Sequence, residues 1–174
     1  MVVGAGEVGS YVAALLSREG NDVVVVDERR EPLTRIERDN DVLTVVGDAT
    51  NPSTLLEAEV NKAEVLVAVT QSYKTNLLVC LQVRQARGEE PLSTIARIDD
   101  PELRGPAGRK IREAMGVDLV LDPDEQTAGA IQELLLYRGA RNLYEMAGGE
   151  VLLVGARLTE DAPIVGRSVG EIGA

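Results

Sequence analysis

Three glycines near the start of the chain, Gly4, Gly6 and Gly9, stand in the spacing Gly-x-Gly-x-x-Gly. They lie between a short apolar run and an amphipathic segment, where a strand turns into a helix. That arrangement suits phosphate chemistry. Gly4 permits the tight turn, Gly6 lets a pyrophosphate approach the backbone, and Gly9 lets the helix pack close to the strand. The helix start then offers free N–H groups and a partial positive charge to an anion. Ala5, Glu7 and Val8 complete the turn. Glu7, a carboxylate beside phosphates, is expected to point outward or to reach a ribose. The bland alternative is a tight turn that holds no ligand.

The remaining candidates stand one group per strand end. Asp27, with Glu28 after it, closes the second apolar run. A carboxylate there can accept both ribose hydroxyls and repels a 2′-phosphate, which favours NAD over NADP. Arg29 and Arg30 close by keep NADP open as the alternative. Asp48 and Ala49, in "GDAT", close the third run. Asp48 is placed to meet an adenine amino group with Gly47 allowing close approach, or it is an ordinary turn residue. Thr70, Gln71 and Ser72 follow the fourth run and can line the second half of a ligand, with Ser72 also placed to cap a helix. Arg97 interrupts an apolar strand in "TIARID". A buried guanidinium needs an anion, either a ligand phosphate or Asp99 or Asp100.

Hydride transfer needs a proton donor or acceptor beside the substrate. The chain has no histidine, no Tyr-x-x-x-Lys pair, no Walker-type Gly-Lys-Ser/Thr and no metal-ligand cluster. Its one cysteine, Cys80 in "NLLVCLQV", reads as core packing, because nothing is present to activate it. The nucleotide is therefore expected to be read, not consumed. A net charge of −11 disfavours nucleic acid and anionic membrane surfaces. No apolar run reaches the ~18–20 residues of a membrane span, and no signal peptide is visible, so no membrane insertion is expected. A single cysteine fits a reducing cytoplasm.

The elements that must hold these residues alternate. Strands are expected at residues 2–5, 22–26, 42–46, 64–70, 94–98 and 118–121. Helices are expected at 7–19, 32–39, 52–59, from Ser72 to about Arg87, and at 123–137, with a "DDPEL" segment divided at Pro106. On the first helix Val8, Val12, Leu15 and Leu16 share a face, and on the fourth Leu77, Leu78, Leu81 and Val83 are assigned to the interior. The apolar set is Val, Leu, Ile and Ala with no Phe or Trp, which suits a sheet covered on both faces. The rhythm predicts an α/β fold, a Rossmann-like doubly wound parallel sheet. After residue 137 alternation and Gly148-Gly149 suggest a hairpin entering another module. The expected organisation is a nucleotide-binding domain over 1–138, then linker strands and the start of a small β-containing module over 139–174. The close start at Met1 and the abrupt end suggest a piece of a longer protein.

Taken in order, "GAGEVG", "VVVVDERRE", "VVGDATNPSTLLEA", "EVLVAVTQSYKTN" and "TIARIDDPE" resemble the N-terminal half of the Trk-system regulatory proteins of bacterial and archaeal potassium uptake, the RCK or KTN domain. The tail "APIVGRSVGEI" resembles the opening of that family's C-terminal ligand domain. The resemblance implies a cytosolic regulatory subunit that binds NAD(H) and ATP or ADP. It implies a homodimer assembling into a ring that gates a membrane-embedded potassium transporter of the TrkH type, and so a peripheral place at the inner face of the cell membrane. It also implies phosphates on the glycine turn, ribose on Asp27, adenine at Asp48, the distal half at Thr70 and Gln71, and a phosphate at Arg97. Independently, Ala128, Ile131, Leu134, Leu135, Leu136 and Tyr137 give the helix over 123–137 an apolar surface wide enough for a partner, or make it a plain core helix. The alternative function is the Rossmann domain of an NAD-dependent oxidoreductase without its catalytic domain.

Overall fold

The computed structural model describes residues 1–88, 90–136, 140–146 and 150–172. It forms two compact units, Met1–Pro123 and Asp124–Ala174. The first holds β1 (Val2–Val3), α1 (Glu7–Arg18), β2 (Val24–Asp27), α2 (Arg30–Asp39), β3 (Leu43–Val46), α3 (Pro52–Glu57), a 3-10 turn (Val60–Lys62), β4 (Val65–Ala68), α4 (Tyr73–Arg87), β5 (Ser93–Arg97), α5 (Pro101–Arg104), α6 (Pro106–Ala114) and β6 (Leu119–Leu121). All six strands pair in parallel in the order β3-β2-β1-β4-β5-β6. The chain order reverses between β1 and β4, and a ligand crevice belongs there, beyond the strands' C-terminal ends.

Alternation along each strand divides the core in two. Val2, Val25 and Val67 face one side with Ala13, Leu33 and Ile36 from α1 and α2. Val3, Val26, Leu66 and Ala68 face the other with Leu55, Val79, Cys80 and Val83 from α3 and α4. Period-2 side chains covered on both faces explain the unbroken valine runs. On α1 the inward position is Ala13, fully buried, while Leu15 is 44% exposed. Gly9 and Ala13, four residues apart, are the small pair that lets the helix approach the sheet. On α4 the buried stripe is Asn76, Val79, Cys80 and Val83, joined by Leu77, whereas Leu78 is exposed and Leu81 only half-buried. The face is set by i, i+3, i+4 and i+7, not by the run of leucines.

Asn51 occupies the N-cap position of α3, yet its side chain makes no capping bond. Ser72 and Asp100 do cap, accepting the N–H groups of Thr75 and Glu102. At the opposite end of the sheet from the crevice, Arg84 donates to both carboxylate oxygens of Asp118, at 2.9 and 2.8 Å. Asp118 also accepts the Thr94 N–H at 2.8 Å, tying α4 to β5 and β6. Burial pushes the Cys80 thiol up to about 12. Cys80 should therefore resist a thiol reagent at pH 8 in the native chain and react on addition of denaturant. Fast native labelling would show that α4 opens locally.

The second unit holds α7 (Pro123–Leu136), the antiparallel pair β7 (Ala140–Met146) and β8 (Val151–Ala156), and α8 (Val169–Ile172). Packing groups α7 with this unit, whereas the sequence reading grouped it with the first. The expected hairpin is present, and Gly148-Gly149 and Tyr137 lie outside the described residues. Ala128, Ile131 and Leu135 on α7 are exposed. Among the described residues no helix is long and apolar enough to cross a membrane.

Candidate functional site

The first turn of α1 begins where β1 stops. Gly4 has φ +101°, a left-handed backbone that favours glycine. A Cβ on Gly9 would lie 1.8 Å from the Gly4 carbonyl oxygen, so turn and helix are in direct backbone contact. A Cβ on Gly6 would meet nothing within 4 Å. Gly6 therefore faces open space, as a close phosphate approach requires. The N–H groups of Gly6, Glu7 and Val8 have no partner among the described residues, the usual state of a helix start.

Gly4 and Gly6 line a cavity of about 410 Å³ with Asp27, Glu28, Arg29, Gly47, Asp48, Ala49, Thr70, Gln71, Ser72 and Thr75. The ends of β1, β2, β3 and β4 thus converge at the strand-order reversal. Ala5, Val8 and Gly9 support this cavity without lining it. Glu7 lines a neighbouring cleft walled by α1 and α2. Arg97, at the end of β5, is not part of the lining either. It is half-buried, pairs with neither Asp99 nor Asp100, and its Nε is buried without a hydrogen-bond partner among the described residues.

Asp27 does more than end a strand. Its Oδ2 accepts the Ala5 N–H at 2.7 Å, and its Oδ1 accepts the Arg29 N–H at 2.9 Å and Arg29 Nε at 3.3 Å. Burial alone would raise its pKa. The two N–H groups and the Arg29 guanidinium outweigh that, and the carboxyl titrates below its ordinary range. Both acceptor sites of Oδ1 are taken, whereas Oδ2 keeps a second lone pair for another donor. Asp48 is held the same way: its Oδ1 accepts the Thr50 hydroxyl at 2.7 Å and N–H at 2.8 Å, which lower its pKa. Gly47 is explained by packing, since a Cβ there would lie 2.9 Å from the Thr54 side chain.

Thr70 lines the cavity, but its hydroxyl turns inward and donates to Asn76 Oδ1 at 2.6 Å. Its backbone N–H goes to the same oxygen at 3.0 Å. Arg29, noted in the sequence only as a charge near Asp27, lines the cavity and neutralises that carboxylate, and Asn76 was missed. Asn76 is buried beneath Thr70, and its only sequence signal is its place in the "T-x-x-x-x-T-N" stretch.

A family model described as the TrkA-N domain matches residues 1–123, the extent of the first compact unit. The chain belongs to the TrkA-N domain family. This TrkA-N domain carries the whole cavity described above. The chain is 32% identical over 170 residues to the Trk system potassium uptake protein TrkA of Halomonas elongata, covering 98% of this chain and 37% of that protein. It is 28% identical over 172 residues to a TrkA homolog of Methanothermobacter thermautotrophicus, covering 99% of this chain and 76% of that one. The chain thus spans little more than a third of the Halomonas relative's length. Among solved structures, the GsuK channel bound to NAD is similar at TM-score 0.61 and 26% identity, over 78% of this chain and 22% of that chain. GsuK bound to ADP is similar at the same TM-score and identity, over 77% of this chain and 32% of that one.

Proposed function

We propose that this chain is the nucleotide-binding part of a regulatory subunit of a potassium uptake system, and that it reads NAD(H) and ATP or ADP without transforming them. One observation carries the reading: the glycine turn, Asp27 and Asp48 meet in a single cavity at the strand-order reversal. An adenosine diphosphate moiety matches that set. Its phosphates lie on the α1 N-terminus, one ribose hydroxyl donates to the free lone pair of Asp27 Oδ2 and the other to Oδ1 in place of the exposed Arg29 Nε, and its adenine amino group donates to Asp48. ATP, ADP and NAD(H) share this half and differ beyond it, towards Gln71, Ser72 and Arg97. The relatives' names and the NAD- and ADP-bound GsuK support the assignment. A regulator works when its ligands differ in affinity for two arrangements of the paired subunits. The exposed Ala128, Ile131 and Leu135 of α7 support a homodimer, within a larger ring, peripheral to a membrane-embedded transporter on the cytoplasmic side.

Calorimetric titration with ATP, ADP, NAD and NADH tests this. All four should bind, with no turnover. Binding of NAD with ATP ignored would favour a dehydrogenase domain lacking its catalytic partner. No heat with any of them would overturn the reading.

A further inference from the structure

Asn76 is 0% exposed in the first turn of α4, and it does not touch the cavity. A side-chain amide has two N–H donors and an oxygen with two acceptor sites, and all four are engaged here. Oδ1 accepts the Thr70 N–H and hydroxyl. Nδ2 donates to the Thr70 carbonyl at 3.2 Å and to the Arg97 carbonyl at 2.9 Å. The β4–β5 ladder ends at Ala68 and Ala96, so Asn76 carries the pairing of these strands past its own end. From the other side Thr70 is pressed against the turn: a Cβ on Gly4 would lie 3.0 Å from the Thr70 nitrogen. Thr70 is thus clamped between the glycine turn and Asn76, and Gln71 and Ser72, which line the cavity, take their direction from it.

We infer that Asn76 is a positioning residue for the part of the ligand beyond the adenosine, holding the Thr70 backbone so that Gln71 and Ser72 present one fixed wall. This rests on the nucleotide reading above. The adenosine side, built on Asp27 and Asp48, shares no hydrogen bond with Asn76. The two halves of the ligand should therefore respond differently when Asn76 is changed. General destabilisation would weaken both halves alike.

Asn76→Asp has nearly the same shape. It keeps both acceptances at Oδ1 and turns an acceptor towards the carbonyls of Thr70 and Arg97, where a donor stood. Titrating the 174-residue chain with AMP and with NADH reads the effect. NADH affinity should fall about tenfold or more while AMP affinity stays within about twofold. A parallel fall of both ligands, or no change in either, overturns the inference. If Asn76→Asp does not fold, Thr70→Val, which removes the hydroxyl that donates to Asn76 and accepts the Ser72 N–H, must show the same NADH-selective loss. A wild-type chain that binds neither ligand overturns the nucleotide reading itself. Hydrogen exchange then decides the positioning role: a Thr70 amide that exchanges no faster in Asn76→Asp overturns it.

Discussion

Gly9→Ala is expected to remove much of the fold's stability, whereas Gly6→Ala should leave a stable chain that has lost its ligand. The two positions share one turn but face opposite ways. At Gly9 an added Cβ would sit 1.8 Å from the Gly4 carbonyl oxygen and 3.3 Å from a Val69 methyl. The obstruction is backbone, so no side-chain rotation relieves it. Gly4 cannot retreat, because its N–H is bonded to the Val26 carbonyl at 2.8 Å and its far side meets Thr70. Overpacking costs about 1–3 kcal/mol where side chains can shift, and this contact should exceed that range. Against a total of roughly 5–15 kcal/mol, the loss is large. At Gly6 the backbone is at φ −70°, which any residue adopts, and the new methyl meets nothing within 4 Å. Gly6 is the N-cap of α1, where alanine is the poorer residue, so the chain should lose about 1 kcal/mol, well below the loss at Gly9. The methyl would occupy the space that a pyrophosphate needs, so affinity for every adenine dinucleotide or triphosphate should fall at least about tenfold. Urea melts and calorimetry on the two variants read both effects. A Gly6→Ala chain with wild-type affinity would place the ligand elsewhere.

That contrast also shows what the sequence could carry. The glycine spacing, the valine runs and the aspartates at strand ends are local signals, and the parallel, doubly wound sheet followed from them because crossovers between parallel strands have one hand. Leu33 and Ile36 are the buried pair of α2, where a 3.6-residue period on a polar helix leaves few choices. Leu15 and Leu78 were misplaced because apolar residues outnumber the inward positions of α1 and α4, and Ala13 and Asn76 took those positions instead. Small size decided the first case and hydrogen-bonding capacity the second, and both depend on a partner distant in the chain. Arg97 illustrates the same limit. Its type and strand position suggested an ion pair or a phosphate, but the direction of a long side chain at a strand end is set by neighbours that local spacing does not name. The internal engagement of the Thr70 hydroxyl was hidden for the same reason.

Asp27 is where fold and ligand share one carboxylate, and its substitution should show both. It is 10% exposed and holds the N–H groups of Ala5 and Arg29. Asp27→Ala leaves the Ala5 N–H without its acceptor, at about 1–3 kcal/mol for a buried donor, while the exposed Arg29 N–H turns to water. The pH dependence follows from the lowered pKa. A depressed carboxylate contributes stability that is full above the unfolded value of about 3.9 and is lost as pH falls through the lower folded value. Wild-type stability should therefore fall steeply in that acid window, and the Asp27→Ala chain, weaker at pH 7, should fall less. Because the same substitution loosens the glycine turn, weaker nucleotide binding alone would not prove a ribose contact. Comparing AMP with its 2′,3′-dideoxy analogue separates the two effects. In the wild type the hydroxyls should add about 1.5–3 kcal/mol, the range for hydrogen bonds to a charged acceptor. In Asp27→Asn, which keeps the shape and loses the charge, that difference should shrink by more than half. An unchanged difference would leave Asp27 as a brace of the turn and move the ribose to another acceptor.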